Sequence, residues 1–206
     1  MPQTWHLLSM LGDSRLLLPT AAVLMFAGWR AHSSWHWRWA SALTVVGLLV
    51  LGSKLAFLGW GIGVARWDFT GFSGHAAMAA GVWPMVCYIA MPGDRSRRLM
   101  ALLGLSLAGA VAYSRLPLNA HSWSEVISGW LLGAVASSLV LRGAQPVPGP
   151  RCRWLVLALG MGICMPLAFP QIRTHQMVVA LAKTLSGTAK EFDRSIWSGG
   201  EPRRGS

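Results

Sequence analysis

Six stretches of this 206-residue chain carry no charged residue or are broken by one alone: Leu16–Trp29, Trp39–Ser53 continuing past Lys54 to Ala65, Ala76–Met91, Leu99–Ser114, Val126–Leu141 and Trp154–Ile172. A helix at the surface of a water-soluble domain needs a polar face, and runs like these leave none. Several approach the roughly 20 residues that cross a bilayer, and flanking Arg and Trp side chains reach the interface from the shorter ones. The pattern predicts an all-α fold, a polytopic membrane helical bundle of about six transmembrane helices.

Composition agrees with a membrane class. Hydrophobic residues make up 53% of the chain and charged residues 12%, and mean hydropathy is +0.45. Many of the twelve Trp residues sit beside the apolar runs, where an amphipathic ring lies at headgroup level. The net charge of +11 does not point to nucleic acid, because the basic residues are scattered between the runs and form no single patch. Cys87, Cys152 and Cys164 have no paired spacing, so neither a disulfide framework nor a metal site is expected, and they read as packing residues. The first 13 residues lack a basic leader and include His6 and Asp13, so the first run is expected to stay in the protein.

With six spans, segments 30–38, 92–98 and 142–153 share one side and hold Arg30, Arg38, Arg95, Arg97, Arg98, Arg142, Arg151 and Arg153. By the positive-inside rule this side is cytoplasmic, and both termini face outward. Beyond Pro170, apolar residues recur at helical spacing from Val178 to Ile196, opposite Lys183, Lys190, Glu191 and Arg194. The chain thus divides into a transmembrane domain at 1–172, an amphipathic interfacial helix at 173–198 and a flexible tail at 199–206.

The outward side gathers the polar residues that composition does not explain. Lys54 interrupts an apolar run, where a charge costs about 2.5–3.5 kcal/mol, and is expected to face a polar cavity or an anion. Ser73-Gly74-His75 precedes a helix start, so Ser73 is the expected N-cap and backbone N–H groups point at a bound phosphate. His121 and Glu125 are four apart on one helix face, where the carboxylate can hold one imidazole nitrogen and leave the other as nucleophile. Arg115 adds a planar cation suited to two phosphate oxygens.

Taken in order, these segments resemble the type-2 phosphatidic acid phosphatase superfamily. Its three motifs are a Lys and Arg-Pro segment, Pro-Ser-Gly-His, and Ser-Arg followed by five residues, His, three residues and Asp. The third reads here as Ser114-Arg115, then His121 and Glu125 at the family's spacing, with Glu in place of Asp. The second reads Phe72-Ser73-Gly74-His75, with Phe in place of Pro. The first departs: Lys54 is present, Gly61 stands seven positions later, and the nearest Arg is Arg66, followed by Trp67. This looks like a bacterial subgroup with an atypical first motif, and the motif core covers residues 40–142.

The resemblance implies a metal-independent lipid phosphatase without a cofactor. His121 would form a phosphohistidine, His75 would act as general acid and Glu125 would orient His121. Lys54, Ser73, Gly74, Arg115 and Arg66 would bind phosphate. The implied partners are the bilayer and a lipid phosphate, such as an isoprenoid pyrophosphate, phosphatidylglycerol phosphate, phosphatidic acid or a lipid A phosphate. The implied place is the bacterial inner membrane, with the site toward the periplasm. A phosphotransferase with the same site, or a non-catalytic scaffold or transporter, are the alternatives.

Overall fold

The computed structural model describes residues 2–91, 94–142, 152–169, 171, 174–188 and 190–197. Among them the long elements are all helical: α1 (Pro2–Met10), α2 (Ser14–Arg30), α3 (Trp35–Trp60), α4 (Gly74–Ala90), α5 (Asp94–Ser114), α6 (Trp123–Arg142), α7 (Cys152–Ala168) and α8 (Thr174–Ser186). Helices α2 to α7 coincide with the six apolar runs. By length and composition, three stretches are fit to cross a membrane: Gln3–Arg30, Trp35–Trp60 and Trp123–Arg142. Gly74–Ala90 and Arg153–Ala168 are apolar but shorter, and α5 opens on a charged first turn, Asp94-Arg95-Ser96-Arg97-Arg98. Helix α1 was not expected from the sequence; it runs to a turn at Leu11–Gly12 before Asp13 caps α2.

Helix α4 is the axis of the bundle. Its Ala76, Ala77, Ala79, Ala80 and Val82 are fully buried, because small side chains let α5 and α6 come close. The closest approach is at Gly133 of α6, where an added Cβ would stand 2.1 Å from the Ala77 carbonyl oxygen. Backbone cannot swing away as a side chain can, so Gly133→Ala is expected to force α4 and α6 apart and lower stability by about 2 kcal/mol. Thermal unfolding in detergent reads this, and an unchanged midpoint would contradict it.

The far end of the bundle collects the loop arginines. Arg98 and Arg142 line one groove with Tyr88, Arg38 lines another with Val140, and Phe26 near the end of α2 meets Trp154 at the start of α7, 5.9 Å between rings. Arg97 of α5 donates to the carbonyl of Met91, the residue after α4, 2.7 Å. Cys87 is half-buried and Cys164 exposed, both as free thiols; the side chain of Cys152 lies outside the described residues.

The C-terminal part differs from the single helix expected over 173–198. Helix α8 packs Ala182 and Ser186 against Gly59 at the end of α3, and it stops at Ser186 because Gly187 takes a left-handed φ of 68°. From Lys190 to Trp197 the chain doubles back over the end of α3, with Phe192 N–H donating to the Leu58 carbonyl, 3.0 Å, and Trp197 packed at a tilt against Phe57, 5.4 Å between ring centroids. The tail at 199–206 lies outside the described residues.

Candidate active site

Between α3 and α4 the chain forms a small hairpin. Val64 and Phe69 exchange both backbone hydrogen bonds, 2.9 and 3.1 Å, around a 3₁₀ turn at Ala65–Trp67, with Asp68 in the left-handed region at φ 48°. Two contacts aim this hairpin at the motif residues. Phe72 N–H donates to Ser53 Oγ, 3.1 Å, one residue from Lys54. The Pro usual at this position has no N–H to give, so Phe72 ties the loop to α3 in a way the family pattern cannot. Thr70 donates its backbone N–H, 2.7 Å, and its hydroxyl to Glu125 Oε1.

Glu125 is fully buried and organises the site. Its second oxygen, Oε2, takes His121 Nδ1 at 2.7 Å, Ser122 N–H at 3.2 Å and Arg194 Nη2 at 2.9 Å. Its backbone carbonyl accepts the Ser73 N–H, 3.1 Å, so the second and third motifs are joined directly. The Thr70 and Ser122 N–H groups and the Arg194 guanidinium can only donate, and between them they occupy both oxygens, as an ionised Glu125 requires; the His121 proton is then assigned to Nδ1. His121 Nε2 is then the unprotonated nitrogen. Burial pushes His121 below its usual value, the Glu125 hydrogen bond pulls it up, and the charges of Lys54 and Arg115 push it down, with a net lowering. The imidazole is therefore neutral at neutral pH.

Ser73 takes the expected N-cap position ahead of α4 with extended backbone (φ −68°, ψ 110°), but its side chain makes no capping hydrogen bond. Its Oγ is buried without a hydrogen-bond partner among the described residues, and so is Arg115 Nε. Arg115 follows the end of α5 and is held by Ser9 of α1, Nη1 to Oγ 2.5 Å. Burial lowers its pKa from a value so high that it stays charged. His75, in the first turn of α4, lies within electrostatic reach of Arg115, Asp13, His121 and Lys54. The α1–α2 turn backs it: a Cβ on Gly12 would stand 3.1 Å from His75 Cβ.

Thus Lys54, Ser73, Gly74, His75, Arg115, His121 and Glu125 come together at the end of the bundle away from the loop arginines. Arg66 stands apart on the rim: it is exposed, and it lines with Trp67, Asp68, His121 and Ser124 an open groove of about 520 Å³. Among the described residues no group of three or more His, Cys, Asp or Glu side chains is placed to hold a metal ion.

The PAP2 superfamily profile matches residues 58–147, a range that contains both the Ser-Gly-His and the Ser-Arg-to-Glu125 motifs. An uncharacterized 22.5 kDa protein in the cps region of Klebsiella pneumoniae is 38% identical over 187 residues, covering 89% of this chain and 88% of that one. The chain belongs to the PAP2 superfamily. No solved structure matches it. PAP2 proteins are generally phosphatases, which makes a phosphatase-type reaction the activity class here. Lys54 precedes the matched range, consistent with the departure of the first motif.

Sequence reasoning missed Ser9, Thr70 and Arg194. None carries a local signal: they meet their partners across 106, 55 and 69 residues of chain.

Proposed function

We propose that this PAP2 protein hydrolyses a lipid phosphomonoester or pyrophosphate through a phosphohistidine on His121. The observation that carries the reading is the pair of buried donors, Ser73 Oγ and Arg115 Nε, left without a hydrogen-bond partner among the described residues beside the His121 imidazole. A buried donor with no partner costs about 1–3 kcal/mol, and phosphate oxygens would satisfy both.

The lone pair of His121 Nε2 attacks phosphorus while the bond to the lipid oxygen breaks, and His75 gives that oxygen its proton. Water then attacks phosphorus, the P–N bond breaks, His75 takes the proton of the water, and phosphate leaves with His121 restored. Lys54, Arg115, the Ser73 hydroxyl and the Gly74 N–H stabilise the equatorial oxygens. With that much positive charge the reaction runs without a metal, so activity is expected to persist in EDTA. Arg66 on the groove rim meets the headgroup as it enters.

All six helices α2 to α7 cross the bilayer in this reading, with α8 on its surface. The arginine-rich end is cytoplasmic, and the site opens at the outer face of a bacterial inner membrane. The substrate is an isoprenoid pyrophosphate, phosphatidylglycerol phosphate or phosphatidic acid. Phosphate release by purified protein over these lipids tests the proposal; absence of release from all of them, or complete loss in EDTA with rescue by Mg²⁺, contradicts it.

Glu125 offers a sharper test. Glu125→Gln keeps the size of the side chain but removes the charge that holds the His121 tautomer, and is expected to lower kcat by about 10²–10⁴-fold. Glu125→Asp, the family's own residue, is expected to stay within about tenfold of wild type. Equal rates for the two variants would take Glu125 out of the relay.

A further inference from the structure

We propose that Arg194, carried over the site by the segment Lys190–Trp197, is a positioning residue that sets the proton affinity of His121 through Glu125. Its catalytic consequence rests on the phosphohistidine reading above; its effect on the imidazole does not.

The first observation is a shared oxygen. Arg194 Nη2 and His121 Nδ1 both bond Glu125 Oε2, at 2.9 and 2.7 Å. The outer side of the guanidinium is held by Asp68 Oδ1, 3.2 Å from Nε. An exposed ion pair would count for little, but here the carboxylate side chain has no solvent exposure and Arg194 covers it from outside. A carboxylate oxygen shared with a guanidinium offers less negative potential to the imidazole. Arg194 thereby disfavours the imidazolium and keeps Nε2 available for attack.

The second observation explains why the cation comes from so far away. Gly61 stands where the family pattern has its first-motif Arg, and a Cβ there would meet Phe192 Cδ1 at 3.2 Å and Ile196 Cδ1 at 3.5 Å. The C-terminal segment thus fills the space into which that side chain would branch, and brings its own guanidinium. It is anchored on both sides of Arg194, by Phe192 N–H on the Leu58 carbonyl and by Trp197 on Phe57.

The other groups that face the relay do not substitute for it. Thr70 is neutral and occupies the opposite oxygen. Lys54 of α3 and Arg115 beyond α5 act on His121 by charge alone, and His75 lies near both of them. Among the described residues, Arg194 is the Lys or Arg side chain bonded to the relay acid itself.

The test is the titration of His121, followed by NMR of histidine-labelled protein in detergent and assigned by the resonance lost in His121→Gln. In Arg194→Gln the His121 midpoint is expected to rise by about one pH unit, because a positive charge is removed and Glu125 Oε2 is left to the imidazole. Arg194→Lys should titrate close to wild type, and adding Arg194→Gln to Glu125→Gln should move little. Trp197→Ala keeps the guanidinium but removes its anchor, and should shift the midpoint in the same direction by less. The acidic limb of kcat/KM with dioleoyl phosphatidic acid should follow, losing about tenfold below the midpoint in Arg194→Gln. An unmoved His121 titration in Arg194→Gln overturns the inference; should that variant not fold, an unmoved titration in Trp197→Ala does so. If wild-type protein releases no phosphate from any lipid, the phosphatase reading fails while the NMR result still decides the role of Arg194.

Discussion

Replacing His121 with alanine is expected to reduce phosphate release from lipid phosphates by on the order of 10⁴-fold or more, since removal of a covalent nucleophile leaves only binding and charge stabilisation. The fold should survive the change. His121 lies in the loop between α5 and α6 with its side chain 13% exposed, and Glu125 keeps Thr70, Ser122 and Arg194 as donors when the imidazole is gone. Size-exclusion and circular dichroism in detergent check the fold, and radiolabel trapped on wild-type protein but not on the variant checks the intermediate. Turnover at the wild-type rate would sink the phosphohistidine mechanism.

The wild-type pH profile adds a sign. Because His121 sits below its usual value of 6.5, the nucleophile stays unprotonated as pH falls through that value. The acidic limb of kcat/KM is therefore expected below pH 6.5, and a limb well above it would show that Glu125 dominates burial instead.

His75→Ala is expected to cost about 10²–10⁴-fold, the range for loss of a general acid. A lipid alkoxide is a poor leaving group and needs the proton. The loss should shrink markedly with 4-nitrophenyl phosphate, whose phenolate departs without one. An equal loss on both substrates would assign His75 to phosphate binding and remove it from proton transfer. The contrast matters because His75 and His121 share the same cluster of cations, and activity loss alone would not tell their roles apart.

Much of this protein is set by its sequence. The apolar runs place α2 to α7, because the period of a helix and the cost of a charge in an apolar surrounding are both local properties of a segment. The residues at helix ends follow from the same layout: Ser73-Gly74-His75 at the start of α4, Ser114-Arg115 at the end of α5, and His121 one turn from Glu125. Spacing within the third motif points to the His121–Glu125 pair but on one helix face, whereas His121 lies two residues ahead of α6 and reaches Glu125 in its first turn from the loop.

What only the tertiary structure decided is everything that joins distant segments. The apolar spacing beyond Pro170 reads as one helix to Ile196, but burial against α3 favours a stop at Gly187 and a return across the site. Ser73 is the cap of α4 that its sequence suggests, but its N–H is taken by the Glu125 carbonyl and its hydroxyl has no hydrogen-bond partner among the described residues. Ser9 on Arg115, Thr70 on Glu125 and Arg194 on the same carboxylate are each fixed by how helices pack. Helix packing depends on where Gly and Ala permit close approach, as at Gly133 against Ala77. A charged residue on an amphipathic helix is ordinarily solvated, so nothing in the run Glu191-Phe192-Asp193-Arg194 marks its last member as the partner of a buried acid.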